Sequence, residues 1–137
     1  MTKTMLVAEL MQRNVRTVGA DATIAEVVVS LADAHISGLP VVDDGGRVVG
    51  VISASDVLTA EAETNDSAAR QELLEGTAVR EIMTRRPYTV TPETDVREAA
   101  RQMLYADVHR LFVTEDGRIV GVVSTTDIVR AVAHGRI

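Results

Sequence analysis

The architecture of this chain is decided by a short pattern that occurs twice, as GVISASD at residues 50–56 and as GVVSTTD at residues 121–127. In both copies an apolar run typical of a strand ends at a serine, and an aspartate follows three positions later. A serine at the start of a helix, with an acidic residue three positions on, is a capping pattern. Each copy therefore predicts a strand that runs directly into a helix.

An internal repeat extends outward from this pattern over most of the chain. A shift of 72 positions aligns Leu39 with Leu111. After the next turn the offset is 71, because residues 43–46 are one residue longer than residues 115–117. A one-residue difference is tolerated best in a surface turn, so the repeat indicates a duplicated structural unit.

Each unit is predicted to begin with a short strand, at residues 16–18 in the first copy, followed by a helix. Apolar residues recur in this helix at positions i, i+3, i+4 and i+7. Thr23 with Glu26, and Asp95 with Glu98, fit a capping box at its start. The apolar positions are Ile24, Val27, Val28 and Leu31 in the first unit and Val96, Ala99, Ala100, Met103 and Leu104 in the second.

A hairpin and a closing helix complete each unit, which gives the order β-α-β-β-α. The Asp-Gly pairs at residues 44–45 and 116–117 stand between apolar runs, a strong signal for a hairpin turn. The hairpin strands are predicted at residues 39–43 and 47–53 and at residues 111–115 and 118–124. The closing helices begin near Ser53 and Ser124.

The repeats also define the domain organisation. The first repeat is placed at residues 5–60 and the second at residues 77–134. Between them, residues 61–76 form a polar connecting arm. Within this arm a helix is predicted from Asp66 to Glu75, and Gly76 stops it.

Composition argues against several classes of protein. The 137 residues carry a net charge of −6 and two Tyr and one Phe as the only aromatic side chains, whereas nucleic-acid surfaces need basic stripes and stacking platforms. The absence of cysteine excludes disulfides, thiolate metal sites and cysteine nucleophiles. No apolar run approaches the roughly 20 residues that span a bilayer. We expect a cytoplasmic protein that binds neither nucleic acid nor a membrane.

Catalytic and metal-binding groups are not evident in the sequence. His35, His109 and His134 lack the spacing of metal ligands. No nucleophile occurs together with a base and an orienting group. We therefore expect neither an enzyme nor a metal site, and no required cofactor.

The duplicated serine and aspartate are the candidates for ligand binding. Backbone N–H groups at the start of a helix attract an anion, and a capping hydroxyl can add a hydrogen bond to a phosphate. A carboxylate one turn further on can accept hydrogen bonds from a ribose diol, and the preceding glycine leaves room beside the backbone. These properties suit a ribonucleotide. The alternative is that Ser53 with Asp56, and Ser124 with Asp127, only cap two helices.

The starts of the repeats add a further shared feature, since ELM at residues 9–11 matches EIM at residues 81–83. With the LPVVD strand at residues 39–43 and the duplicated endings, these motifs make residues 5–133 resemble a tandem pair of CBS (cystathionine-β-synthase) domains. The resemblance implies an α+β fold in which two β-α-β-β-α repeats are related by a pseudo-twofold axis, with ligand clefts between the central sheets. It also implies a homodimer and an adenine-containing ligand such as AMP, ADP, ATP, S-adenosylmethionine or, in some members, NAD.

The resemblance assigns roles to individual positions. Asp56 and Asp127 match the carboxylates that bind ribose in the family. The matched hydroxyls near phosphate are Ser53 and Ser124 with Ser55 and Thr126 as helpers, and Thr17 and Thr89 lie on the first strands, whose backbone faces the base.

The two repeats differ where a phosphate charge would be met. The second repeat has His109 and Arg110, which resemble the family's basic pair, whereas the first has Ser37 and Gly38. An arginine can form a charge-assisted hydrogen bond with a phosphate, which a glycine cannot. A solvated strand edge is the alternative interpretation of the basic pair. Phe112 stands where the family usually has proline, so we expect two inequivalent sites.

The sequence thus leads to two hypotheses about function. The first is a stand-alone regulatory module that binds an adenine-containing ligand in the cleft between the repeats and signals to an unknown protein partner in trans. The alternative is a ligand-free interaction module that uses the fold for dimerisation, through apolar helices such as those at residues 28–31 and 129–132.

Overall fold

The computed structural model describes residues 4–85 and 88–137 and shows an α+β protein. The helices are α1 (Val7–Leu10), α2 (Ile24–Ala34), α3 (Ala54–Ala62), α4 (Ser67–Gly76), α5 (Val96–Ala106) and α6 (Thr125–Ala133). The strands are β1 (Val18–Gly19), β2 (Gly38–Val42), β3 (Val48–Ser53), β4 (Thr89–Val90), β5 (Arg110–Glu115) and β6 (Arg118–Ser124). A short 3-10 helix spans Val79–Glu81. The predicted fold class and the β-α-β-β-α order of both repeats are confirmed.

The strands form two three-stranded sheets of the same topology. Their orders are β1-β2-β3 and β4-β5-β6. In each sheet the first strand is parallel to the second, and the second and third form an antiparallel hairpin. The register places Gly38 opposite Ser53 and Arg110 opposite Ser124, so each capping serine has a partner at the start of its hairpin.

The first hairpin turns at the predicted Asp-Gly pair, and the preceding residue, Asp43, closes the turn with its side chain. One carboxylate oxygen of Asp43 accepts hydrogen bonds from the backbone N–H groups of Gly45 at 2.9 Å and Arg47 at 3.0 Å. In the shorter second turn, Asp116 and Gly117 both have left-handed backbones, with φ of 52° and 80°. Asp and Gly tolerate this conformation better than most residues, so the deletion between the repeats is accommodated without breaking the hairpin.

The described chain packs into two units, one of residues 16–85 and one of residues 4–15 with 88–137. In the first unit, α2 and the hairpin bury a core to which α4 contributes Leu73. In the second unit, α5 and the hairpin bury the equivalent core, to which α1 contributes Val7. The repeat boundaries predicted along the sequence, residues 5–60 and 77–134, stay a prediction.

Each unit contains the segment that leads into the other repeat. We define these lead-in segments as residues 5–12 and residues 77–84. The N–H of Val7 donates to the carbonyl of Thr94 at 2.8 Å, and the N–H of Val79 donates to the carbonyl of Ala22 at 2.9 Å. The lead-ins also extend the sheets, because Gln12 bridges to Val122 and Thr84 bridges to Val51.

Some local predictions are wrong in detail. β1 begins at Val18 rather than residue 16, so Thr17 precedes the strand. Val28 and Leu104 belong to the apolar positions with helical spacing, but Leu104 is 83% exposed and Val28 is also exposed. Asp95 caps α5 by accepting from the N–H of Arg97, and no reciprocal bond from Glu98 is present in the described part of the chain.

Candidate ligand site

Both strand-to-helix endings form complete capping boxes. The hydroxyl of Ser53 accepts from the N–H of Asp56 at 3.1 Å, and the carboxylate of Asp56 accepts from the N–H of Ser53 at 2.9 Å. The corresponding distances for Ser124 and Asp127 are 3.2 Å and 2.8 Å. The capping interpretation is therefore realised at α3 and α6.

Capping leaves half of each carboxylate available. Oδ2 of each aspartate accepts the capping bond. Oδ1 of Asp56 is 3.4 Å from the hydroxyl of Thr84, and Oδ1 of Asp127 is 4.0 Å from a guanidinium nitrogen of Arg130. These contacts are long, so Oδ1 retains acceptor capacity for a ligand hydroxyl. Capping and ligand binding are compatible at both ends.

One backbone donor also remains at each helix start. The N–H of Ala54 donates to the carbonyl of Ser37 at 2.8 Å, and the N–H of Thr125 donates to the carbonyl of His109 at 2.9 Å. The third N–H of each helix donates to the capping serine. Within the described residues this leaves the N–H of Ser55 and Thr126 without a partner. Both of these residues are exposed.

The glycines that precede the caps face the lead-in segments. A Cβ atom on Gly50 would lie 2.7 Å from the carbonyl oxygen of Thr84 and 2.8 Å from the sulfur of Met83. On Gly121 it would lie 2.7 Å from the sulfur of Met11. The space beside each glycine is thus occupied by protein, and the glycine is required for packing. The prediction that it leaves room for a ligand is wrong.

The remaining predicted site residues lie at different depths. Asp127 is 8% exposed, whereas Asp56 is half-buried. Thr89 lies in β4 with its Cα in register with Phe112, and both Thr17 and Thr89 are exposed. Phe112 is buried.

The two residues of the basic pair, His109 and Arg110, lie in different surroundings. Arg110 begins β5 with its Cα opposite Ser124, and the equivalent position in the first repeat is Gly38, opposite Ser53. His109 instead lines a cavity of about 240 Å³ between α5 and α6, beside Leu104 and Val129. Arg110 is therefore beside a capping serine, and His109 faces an apolar groove.

Two residues near the aspartates were missed by sequence reasoning. Thr84 reaches Asp56 from 28 positions away, and nothing in the sequence indicates that contact. Arg130 follows Asp127 by three positions in α6. Because residues three apart share a helix face, the spacing could have identified Arg130.

The described residues contain neither a metal-binding cluster nor a helix that could span a membrane. In residues 4–85 and 88–137, no group of three or more His, Cys, Asp or Glu side chains could hold a metal ion. Over the same residues, every helix is too short or too polar to cross a bilayer.

The sequence matches the family model of the CBS domain at residues 7–63 and again at residues 79–134. The chain belongs to the CBS domain family. The two matches make it a tandem CBS pair, and solved CBS pairs share its fold. The resemblance found in the sequence is confirmed.

Among curated relatives, the CBS pair is 28% identical over 90% of its length to protein MJ1225 of Methanocaldococcus jannaschii. It is 29% identical over 88% of its length to the chloroplastic CBS domain-containing protein CBSX2 of Arabidopsis thaliana. The chain spans 41% of MJ1225 and 59% of CBSX2, so it corresponds to only part of each.

The similar solved structures include CBS pairs in complex with adenine-containing ligands. CBSX2 of Arabidopsis thaliana in complex with AMP superposes with a TM-score of 0.81 at 27% identity, covering 96% of this chain and 98% of that one. The CBS pair of protein MJ0100, in complex with 5′-methylthioadenosine and S-adenosylmethionine, gives a TM-score of 0.79 at 27% identity. The match covers 98% of this chain and 100% of MJ0100's.

Proposed function

We propose that this CBS pair is a regulatory module that binds an adenine-containing ligand and signals to a protein partner in trans. The proposed ligands are AMP, ADP, ATP and S-adenosylmethionine. The observation that supports the proposal is the duplicated set of groups with remaining hydrogen-bonding capacity at the starts of α3 and α6. Each set comprises one aspartate oxygen and one backbone N–H.

The chemistry of these groups matches that of a ribonucleotide. A ribose diol donates two hydrogen bonds and is bound well by a carboxylate. A phosphate accepts from a backbone N–H and a hydroxyl at a helix start, where the helix dipole favours negative charge. A ligand that prefers one arrangement of the protein shifts the conformational equilibrium by its differential affinity. That shift is the proposed signal.

We propose that the site at Asp56, at the start of α3, and the site at Asp127, at the start of α6, differ in ligand preference. Arg110 lies opposite Ser124 and can add a charge-assisted bond to a phosphate, whereas Gly38 opposite Ser53 adds none. The end at Asp127 therefore favours a phosphorylated nucleotide. The end at Asp56 has no such preference and suits an uncharged adenosyl group equally well.

The proposal is tested by replacing Asp56 and Asp127 with Asn, singly and together. Asparagine keeps an oxygen for the capping bond and replaces the other carboxylate oxygen with an NH2 donor. Losing a charged acceptor for the ribose should weaken AMP binding, measured by calorimetry, by about ten- to hundredfold per site.

The matched control for this experiment is Asp66→Asn. Asp66 caps α4 by accepting from the N–H of Ala69 at 2.8 Å, and it follows no strand. The Asp66→Asn substitution should leave the affinity for AMP unchanged. Equal AMP affinity in the wild type and the double variant would refute the site assignment.

The alternative function is a ligand-free interaction module. It is favoured by the exposed apolar side chains Leu104 and Tyr105 on α5 and Val129 and Val132 on α6. We propose that this surface mediates homodimerisation in either case. A stable dimer that binds no adenine compound would favour the alternative over the sensor.

We further propose that the protein is not an enzyme, needs no cofactor and acts in the cytoplasm. The absence of a nucleophile–base pair in the sequence supports the first statement. The net charge of −6 weighs against a nucleic-acid partner. ATP incubated with the protein should remain intact, and its hydrolysis would contradict this proposal.

A further inference from the structure

A small cavity lies along one face of α6, on the side of α1. Its lining includes Asp127, Arg130 and Ala131 of α6 and His134, the residue that follows this helix, at positions i, i+3, i+4 and i+7. Glu9 and Leu10 of α1 and Arg136 of the C-terminal tail complete the lining. The cavity volume is about 150 Å³.

The basic groups of this cavity make no close ion pair within the described residues. Among the described residues, the side chains of His134 and Arg136 have no hydrogen-bond or ion-pair partner, and Arg130 is no closer than 4.0 Å to Asp127. Both carboxylates already accept capping bonds, since Glu9 accepts from the N–H of Leu6 at 2.7 Å and Asp127 from that of Ser124 at 2.8 Å. One oxygen of each carboxylate remains, and the donors of two guanidinium groups outnumber these two oxygens.

The basic character is confined to the second repeat. At the offset of 71, Asp127 and Ala131 correspond to Asp56 and Ala60, so the framework of the stripe is repeated. The basic positions are not repeated: Arg130, His134 and Arg136 correspond to Thr59, Glu63 and Asn65. The same helix face is therefore basic in one repeat and polar or acidic in the other.

We propose that this cavity binds a phosphate-sized oxyanion. Two guanidinium groups provide paired N–H donors that match the geometry of a phosphate. Ligand pockets for whole drug-sized molecules occupy about 300–1,000 Å³, so this cavity is too small for a nucleotide. The negative end of the α6 dipole lies near His134 and opposes an anion. The two arginines therefore supply the attraction.

The oxyanion has two chemical sources, free inorganic phosphate or the phosphate group of a bound nucleotide. The first arm of the test titrates inorganic phosphate into the protein by calorimetry, at constant ionic strength set with chloride. Wild-type protein should bind it saturably. Arg130→Gln with Arg136→Gln should weaken binding roughly tenfold or more, because two charged donors are lost.

The matched control is Arg97→Gln with Arg101→Gln, which removes the same charge from two exposed positions of α5 outside the cavity. It should leave phosphate binding unchanged. Thermal melts check folding, and Arg136→Gln alone carries the test if the double cavity variant unfolds, since Arg136 lies beyond the end of α6.

The second arm compares AMP with adenosine. If the nucleotide supplies the anion, the double cavity variant should weaken AMP binding while adenosine binding is unchanged, and inorganic phosphate should compete with AMP. Phosphate binding in a protein that binds no adenine compound would support the cavity and refute only the proposed function. The inference would be overturned if the α5 control lost phosphate affinity to the same extent as the cavity variant. It would also be overturned if the cavity variant weakened AMP and adenosine binding equally, or if it changed the affinity for neither phosphate nor AMP.

Discussion

Because Gly50 and Gly121 have no side chain, the lead-in segments can pack directly against the strands that carry these glycines. The lead-in segments pass directly beside them, and a backbone bridge fixes each lead-in at the following residue, Thr84 to Val51 and Gln12 to Val122. The same bridge brings Thr84 to Asp56. Close packing at a glycine therefore shapes the surroundings of the candidate ligand site.

Gly50→Ala should destabilise the protein by about 1–3 kcal/mol, because the added methyl overlaps a backbone carbonyl that cannot move alone. Gly121→Ala should cost less, since its nearest contact is the flexible side chain of Met11 and the backbone carbonyl of Gln12 is 3.0 Å away. Gly19→Ala is the control, with no atom within 4 Å of its Cβ. Urea denaturation measures all three, and equal stabilities would contradict the packing account.

Local chemistry explains which elements could be predicted from the sequence. The hairpins and the capped helices α3 and α6 depend on residues within a few positions of one another, and the sequence therefore indicates them directly. The contact between Thr84 and Asp56 depends on where a lead-in packs, which no local pattern encodes. Leu104 satisfies the helical period and is still exposed, because periodicity does not show how wide the buried face is.

At the scale of elements, α4 is part of a core rather than a simple spacer. Its residue Leu73 is buried in the cluster formed by α2 and the first hairpin. Its start is capped by Asp66, and Arg70 forms an ion pair with Glu61 of α3 at 2.7 Å. The segment predicted as a polar connecting arm therefore contributes to the stability of the unit of residues 16–85.

Leu73→Ala should lower the free energy of unfolding by about 2–4 kcal/mol, because it removes buried methyl groups and leaves a cavity. The matched control is Leu58→Ala on α3, where the side chain is 67% exposed. Leu58→Ala should change the free energy of unfolding of the monomer by less than about 0.5 kcal/mol. Thermal or urea denaturation at low protein concentration compares them. A harmless Leu73→Ala would mean that α4 does not belong to the core.

At the scale of the whole molecule, exposed apolar side chains contrast with a net charge of −6. Such a charge opposes non-specific association, so self-association requires a specific apolar surface. Leu104 and Val129 line the same groove between α5 and α6. They are the residues whose replacement tests the proposed homodimer.

Leu104→Glu with Val129→Glu should convert the proposed dimer to a monomer, because association would bury two unpaired carboxylates per subunit. Gln71→Glu on the exposed face of α4 is a control that also adds negative charge. Sedimentation velocity distinguishes the species. A double variant that remains dimeric would place the interface elsewhere.

We propose that this CBS pair binds an adenine-containing ligand through the aspartates that cap α3 and α6. A thermal-melt series with AMP, ADP, ATP and S-adenosylmethionine on the wild type and the Asp56→Asn/Asp127→Asn variant tests it most directly. A ligand present at a concentration of 100 times its dissociation constant adds about 2.7 kcal/mol to the free energy of unfolding. This raises the melting temperature by several degrees. We expect this rise with at least one compound in the wild type and no such rise in the variant. No rise with any compound, or the same rise in both proteins, would contradict the proposal.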